Sequence, residues 1–365
     1  MLEKLGIKKL FIIAVSFVLI IILVLVGALL YNKMLYSKTH SEVEVIMENA
    51  AERYFDRYEE KLPKEINNQT TVSAKTLVKT GLMKDLEDYL KDSSCTGEVT
   101  ATKIDNKNYR YSTILDCGED YKTITLNEYI NENVEITTTG EGLYELNNEL
   151  VYRGEIVNNY LKLNGNIYRI VKFVDGHPVV ILTEITENTS WDTQYNVTTG
   201  ANTGINDYNT SSIKNYLNNM YKGNDEGSLL SEKTRLLVTS YNVSIGKRCN
   251  DDTNKTGELE NAMTFNDQYI GLLPLNDYLN ASLDTNCTNS NSPSCANQNY
   301  LSKYKYPWWT ATANSKNTFK AYLVDKTATS TEVHEKGYVR PVLHLVSDAI
   351  YVSGDGTKEN PFKIK

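Results

Sequence analysis

Leu10 to Leu30 reads LFIIAVSFVLIIILVLVGALL, with no charge and only Ser16 as a polar side chain. A helix of that length, at about 1.5 Å per residue, covers roughly 30 Å, the thickness of one bilayer core. Val26-Gly27-Ala28 would satisfy a small-residue cleavage rule, but the run is longer than the h-region of a removed signal peptide. A retained anchor is therefore expected. Lys4, Lys8 and Lys9 precede the run; Lys33 and Lys38 follow it, and Glu42, Glu44 and Glu48 come soon after. This modest lysine bias favours an inside N-terminus. The reading is a single-pass cell-membrane protein. Residues 1–9 are cytoplasmic, residues 10–30 contact the membrane as a transmembrane helix, and the C-terminal bulk is extracellular.

That compartment changes how the cysteines are read. Cys95, Cys117, Cys249, Cys287 and Cys295 all follow the anchor, and no two form a Cys-x-x-Cys pair. With only His40, His177, His334 and His344 as histidines, a zinc site is not expected. Outside the cytoplasm disulfides are. The net charge of −8 and the lack of a Lys/Arg block speak against nucleic acid as a partner. Tyrosine outnumbers phenylalanine by 26 to 7, and asparagine is plentiful. An AT-rich coding bias produces the same pattern, so tyrosine richness alone does not mark a binding surface.

Residues 41–62 carry Val43, Ile46, Met47, Ala50, Tyr54 and Tyr58 at helical spacing. Ser41 with Glu44 reads as a capping box, and Pro63 as the stop. Ser73 caps a second short helix that Gly81 closes, and Leu82, Leu86, Tyr89 and Leu90 suggest a further turn or two. From Cys95 the period becomes two. Val99 and Ala101, then Tyr109, Tyr111 and Thr113, flank a turn at 105–108. Cys95 and Cys117 fall at the outer ends of this hairpin, where a bridge is sterically reasonable. Residues 126–150 look like an irregular, acidic linker.

A second unit begins near Tyr152. Tyr160–Leu163 and Tyr168–Phe173 flank Asn164-Gly165, a strong hairpin signal. Val179–Leu182 follows Asp175-Gly176 as another strand. Ser212–Tyr221 and Leu229–Leu237 read as helices, and residues 280–300 as a long loop. Late strands are expected at Trp308–Ala311, Phe319–Val324 and Val339–Val346. The pattern predicts an α+β class: a stem over 31–125, a linker, a mixed head over 151–352 and a tail over 353–365.

Two resemblances add to this. The apolar helix running on into Ala50-Ala-Glu-Arg-Tyr-Phe55, with Leu62-Pro63 and the cysteine hairpin, resembles a type IV pilin or pseudopilin over about residues 10–125. Phe11 stands where that family carries a Glu after its processing site, so processing and pilus assembly do not follow from the likeness. Residues 150–352 resemble a repeated domain of unknown function in surface proteins of low-GC Gram-positive gut bacteria. The matching segments include Asn164-Gly-Asn-Ile-Tyr-Arg-Ile-Val171, Gly204-Ile-Asn-Asp-Tyr208, Trp308-Trp-Thr310 and Tyr338-Val-Arg-Pro-Val-Leu343. That domain is similar to C-type lectin-like and formylglycine-generating-enzyme-like folds. The resemblance implies a mixed head and supplies no known ligand.

Trp308 and Trp309 are adjacent, so on a strand their rings point to opposite faces. One is expected in the core. The other, with Tyr304 and Tyr306, is the candidate ligand-binding surface, rimmed by loops 245–262 and 280–300. Arg340 in an apolar strand needs a carboxylate or several carbonyl partners. Pro341 implies an edge or a break in the ladder. Cys287 and Cys295, in a polar loop, are a local disulfide candidate, which leaves Cys249 over unless it takes one of the two and leaves the other free. The segment from Asp252 to Glu258 opens like a calcium loop, but Met263 occupies the position of the bidentate Glu. No metal ligand, cofactor or catalytic residue is assigned. The expected function is a non-catalytic binding or adhesion head, on an extracellular protein or glycan ligand. A pilus or secretion-machine subunit and an enzyme on a formylglycine-generating-enzyme-like fold are the alternatives.

Overall fold

The computed structural model describes residues 15, 17–27, 37–146, 148–184, 186–193, 206–222, 229–240, 242–244, 262–264, 269–314 and 317–365. The chain is mixed α+β and divides into two compact units, Met1–Thr123 and Ile124–Lys365. Val15 and residues 17–27 are helical, with apolar side chains exposed. The rest of the predicted span lies outside the described residues. Among the described residues no helix is long and apolar enough to cross a membrane.

In the first unit, α1 (His40–Arg57) buries Val43, Met47, Ala50 and Tyr54 along one face, with Ala51 and Phe55 beside them. Its capping box is Thr39 with Glu42, not Ser41 with Glu44. Both patterns fit the sequence, but Glu44 is required inside. It is buried and accepts from the hydroxyls of Tyr121 (2.8 Å) and Thr123. Burial and the Glu44 carboxylate push the Tyr121 hydroxyl up to about 12.

A three-stranded antiparallel sheet completes this unit: β1 (Gln69–Ser73), β2 (Thr96–Lys103) and β3 (Tyr109–Asp116), in that order. Two short helices, α2 (Ala74–Lys79) and α3 (Leu86–Leu90), lie between β1 and β2; Ser73 caps the first as expected. The β2–β3 turn is held by Asp105. Burial alone would raise its pKa, but the backbone N–H groups of Lys107 and Asn108 and the Asn108 amide keep it below the usual carboxylate range. Thr96 pairs with Asp116, so Cys95 and Cys117 sit just beyond the open end of the hairpin and are disulfide-bonded, with Cα atoms 4.0 Å apart.

The second unit starts before its expected boundary. Within residues 126–150 a helix and two strands form, which corrects the linker reading. Thr125 and Glu128 form a capping box for α4 (Leu126–Asn133), whose Leu126 and Ile130 are buried. Next, β4 (Gly142–Leu146) pairs with β5 (Glu149–Arg153). The main sheet runs through β6 (Tyr160–Leu163), β7 (Asn166–Val174) and β8 (His177–Leu182). Asn164-Gly165 and Asp175-Gly176 have positive φ at both residues, the requirement of a type I′ turn.

Four late or short strands complete that sheet: β12 (Ile270–Gly271), β17 (Val342–His344), β18 (Tyr351–Ser353) and β19 (Phe362–Ile364), in the order β12-β17-β8-β7-β6-β19-β18. Residues 353–365 are therefore not a loose tail. Phe362 is fully buried, and β19 pairs in parallel with β6. A five-stranded sheet has the order β15 (Thr327–Glu332), β14 (Lys320–Asp325), β13 (Trp308–Ala313), β16 (Lys336–Tyr338) and β9 (Asn188–Ser190). Helix α5 (Ser212–Lys222) follows the expected segment, and the next one shortens to α6 (Glu232–Arg235), capped by Ser231. A small pair joins β10 (Asn242–Ser244) to β11 (Ala262–Thr264). Helix α7 (Leu275–Asn280) precedes the polar loop, which Cys287–Cys295 closes at a Cα separation of 4.5 Å.

Candidate binding surface

The tryptophans are not at the surface, which corrects the expected site. Trp308 and Trp309 do point to opposite faces of β13, but β13 is the middle strand of its sheet and both faces are covered. Trp308 is 1% exposed and Trp309 0%. The Trp308 ring meets Tyr278 of α7 edge-on at 6.0 Å. The Trp309 indole N–H donates to the Thr189 carbonyl in β9 at 3.0 Å. Gly337 in β16 leaves room for this ring; a Cβ there would stand 2.8 Å from Trp309 Nε1. The loop at 280–300 is partly folded into the core. Cys287, Cys295 and Tyr300 are buried, and the Ser290 carbonyl accepts from Ala328 of β15. Cys249, residues 245–261 and the calcium-like opening lie outside the described residues.

Arg340 is held by a carbonyl and by rings rather than by a carboxylate. Its Nε and Nη2 both donate to the Leu182 carbonyl at 3.3 Å. The guanidinium lies 3.3 Å from the Tyr304 ring centre and 4.8 Å from that of Trp308. Burial pulls its pKa down to about 10, against the opposing influence of Tyr304 and Tyr300. It therefore stays cationic at neutral pH. Tyr304, assigned to the ligand surface, is half-buried under this cation, and its hydroxyl donates to the same Leu182 carbonyl at 3.2 Å. Pro341 stands at the entrance of β17, where no ladder N–H is needed, and its carbonyl accepts from Leu182 at 2.9 Å.

A second buried arginine repeats the device. Arg169 lies over Tyr160 (3.9 Å) and Tyr300 (4.6 Å) and donates to Asn159 Oδ1 and, at 3.2 Å, to the Val157 carbonyl. Cation–π contact and carbonyls replace lost hydration in both places.

What the predicted site leaves exposed is Tyr306, at 37%. Its ring sits 4.8 Å from Tyr338, tilted by 41°, and Lys305 Nζ lies 5.2 Å from its centre. Tyr300 N–H donates to Gly154 O at 2.7 Å, which brings the segment around Ile156 alongside the one leading to Tyr306. There Lys303 pairs with Glu155 at 2.8 Å, and Ile156 is 79% exposed. Tyr306 with Lys305 offers an aromatic face beside an ammonium group, and the Lys303–Glu155 pair and Ile156 are further exposed features of this unit. Elsewhere on this unit Glu332, His334 and Glu335 bring one possible ligand atom each within 4.8 Å of one another.

No family model matches this chain, and neither a curated protein nor a solved structure matches it.

Proposed function

We propose that this chain is a single-pass, membrane-anchored extracellular protein whose second unit is a lectin-like, non-catalytic binding head on a pilin-like stem. The observation that carries the reading is the pair of disulfides, one in each unit, behind an uncharged apolar run. Both bonds belong to an oxidising compartment. Binding is assigned to the Tyr306–Tyr338 surface, with Lys303, Lys305 and Ile156. Aromatic faces lose little side-chain entropy on contact, and the ammonium groups add directional donors. Its ligand is an extracellular glycan or protein.

The test has two arms. Membrane fractionation followed by terminal peptide mass analysis is expected to find residues 10–30 on the mature protein; a start at Ile7 or Leu29 removes the anchor reading. A fragment starting at residue 37 is then screened on glycan and protein arrays. Tyr306→Ala is expected to weaken the captured ligand by about 2 kcal/mol, as at a hot spot. Unchanged binding moves the site elsewhere. Ladders of cross-linked multimers on whole cells instead favour the pilus-subunit alternative.

A further inference from the structure

Lys172 interrupts the apolar run Ile170-Val171-Lys172-Phe173 in β7, and its side chain is only 15% exposed. Its Nζ lies 2.9 Å from Glu149 Oε2 and 3.1 Å from Asp277 Oδ1. Val151 pairs with Lys172 in the β5–β7 ladder, so Glu149, two residues earlier on β5, shares the lysine's face. Asp277 reaches the same point from α7 and is itself buried, and its Oδ2 is enclosed without a hydrogen-bond partner. As an ion pair this is incomplete, because a buried carboxylate is stabilised only when both oxygens are satisfied. As a reacting group it is well placed: an amine within hydrogen-bonding distance of two carboxylates, Asp277 buried and Glu149 35% exposed.

We propose that Lys172 and Asp277 join in an intramolecular amide bond, with Glu149 as the proton carrier. The ammonium first gives a proton to Asp277 through Glu149, leaving a neutral amine and a carboxylic acid. Lys172 Nζ attacks Asp277 Cγ and forms the new N–C bond. Glu149 takes a proton from that nitrogen and returns it to one carboxyl oxygen. The C–O bond breaks and one water leaves; nothing is oxidised or reduced. The enclosed geometry supplies proximity, and Glu149 supplies general acid–base catalysis.

The surroundings set the cost of the step. Burial pushes the Lys172 ammonium toward neutrality, while Asp277 and Glu149 hold it above the ordinary lysine range. The amine must therefore be freed of its proton before the nitrogen can attack. His344, on β17 with Val179 of β8 between it and Lys172, is kept neutral by desolvation and by the charges of Lys172 and His177, and the Tyr300 hydroxyl, which lies close enough to feel Asp277, is held protonated by burial. The product replaces two enclosed opposite charges by one neutral amide, and ties β7 to α7 across residues 173–276. The bond does not depend on which surface binds ligand.

The full chain, reduced, alkylated and digested with trypsin, decides this by mass. The expected product is a branched peptide in which residues 170–214 are joined to residues 256–303, lighter than the sum by one water and uncut after Lys172. Separate peptides 170–172 and 173–214, with none of the branched form, overturn the proposal. Glu149→Gln is expected to abolish the branched peptide while circular dichroism stays that of the parent. A branched peptide that persists in this variant removes Glu149 as proton carrier. Lys172→Met is expected to lose the branched peptide and lower the melting temperature of the second unit; because the mass result is read on the parent chain, a variant that fails to fold does not weaken it.

Discussion

The two units treat buried polarity differently. The first gathers an aliphatic and aromatic core from one helix face and one sheet, buries only Glu44 and Arg110 as charged side chains among its described residues, and adds a disulfide across the open end of its hairpin. The second is larger and encloses Arg169, Arg340 and Asp277 among its apolar residues, with Lys172 and His344 partly covered. A small domain buries a smaller fraction of its surface and has little stability to set against desolvated charge. It leans on a covalent staple. A larger core tolerates charge when each cation has carbonyls, rings or carboxylates around it. Both units use both devices, and size sets how much each leans on one of them.

The sharpest break of that comparison comes from the head. Trp309→Ala removes a fully buried ring, and large-to-small changes of this kind cost about 3–5 kcal/mol. Urea unfolding is expected to show that loss in the second unit only. A variant that keeps its unfolding midpoint and loses ligand contradicts the buried placement.

The disulfides come next. In the chain-entropy model the longer loop of Cys95–Cys117 contributes about 3 kcal/mol and the shorter loop of Cys287–Cys295 about 2.5 kcal/mol. The absolute terms are close, but the small unit has less in reserve. The double serine variant at 95 and 117 is expected to unfold the first unit near room temperature, whereas serines at 287 and 295 only lower the melting temperature of the second. Equal shifts in both units remove the size argument.

A pH titration probes the charged core alone. His344 is partly buried, and desolvation, then the charges of Lys172 and His177, hold its pKa well below 6.5. The unfolded chain binds the extra proton first. The contribution is therefore fully present above about pH 6.5 and is lost as pH falls from there toward the folded pKa, at up to about 1.4 kcal/mol per pH unit. The second unit is expected to lose stability between pH 6.5 and 5 relative to a His344→Phe variant. Parallel curves count against a neutral buried imidazole.

What was legible in the sequence was local. Asn164-Gly165 specified its turn because two positive φ angles are needed there, and Cys95 and Cys117 flanked one hairpin. Tertiary placement was not legible. Adjacency correctly put Trp308 and Trp309 on opposite faces, but nothing near them in sequence says that β13 is flanked by β14 and β16. The 353–365 strand needed a parallel partner two hundred residues away in β6. A lysine between Val171 and Phe173 signals a buried charge, yet its partner on α7 has no sequence mark. One miss was avoidable: Thr125-Leu-Asn-Glu128 is a helix-start pattern, overlooked because the Thr/Gly run after it resembled a boundary.

That motif permits the finest comparison, since both units carry it. Thr39 accepts from Glu42 N and Thr125 from Glu128 N, and each glutamate returns a bond to its cap's backbone N–H. The local chemistry is the same, so Thr39→Ala and Thr125→Ala are each expected to cost about 1 kcal/mol. The consequences should differ. α1 supplies a whole face of the first unit's core, so loss of its cap should shift that unit's cooperative transition. α4 contributes only Leu126 and Ile130, and its start is also fixed by the bond from Leu126 N to the Ala349 carbonyl at 2.8 Å. Fraying there should raise hydrogen exchange over the first turn of α4 while the second unit's midpoint moves less. Equal shifts in both midpoints make cap chemistry, rather than the share of core the helix carries, the deciding factor.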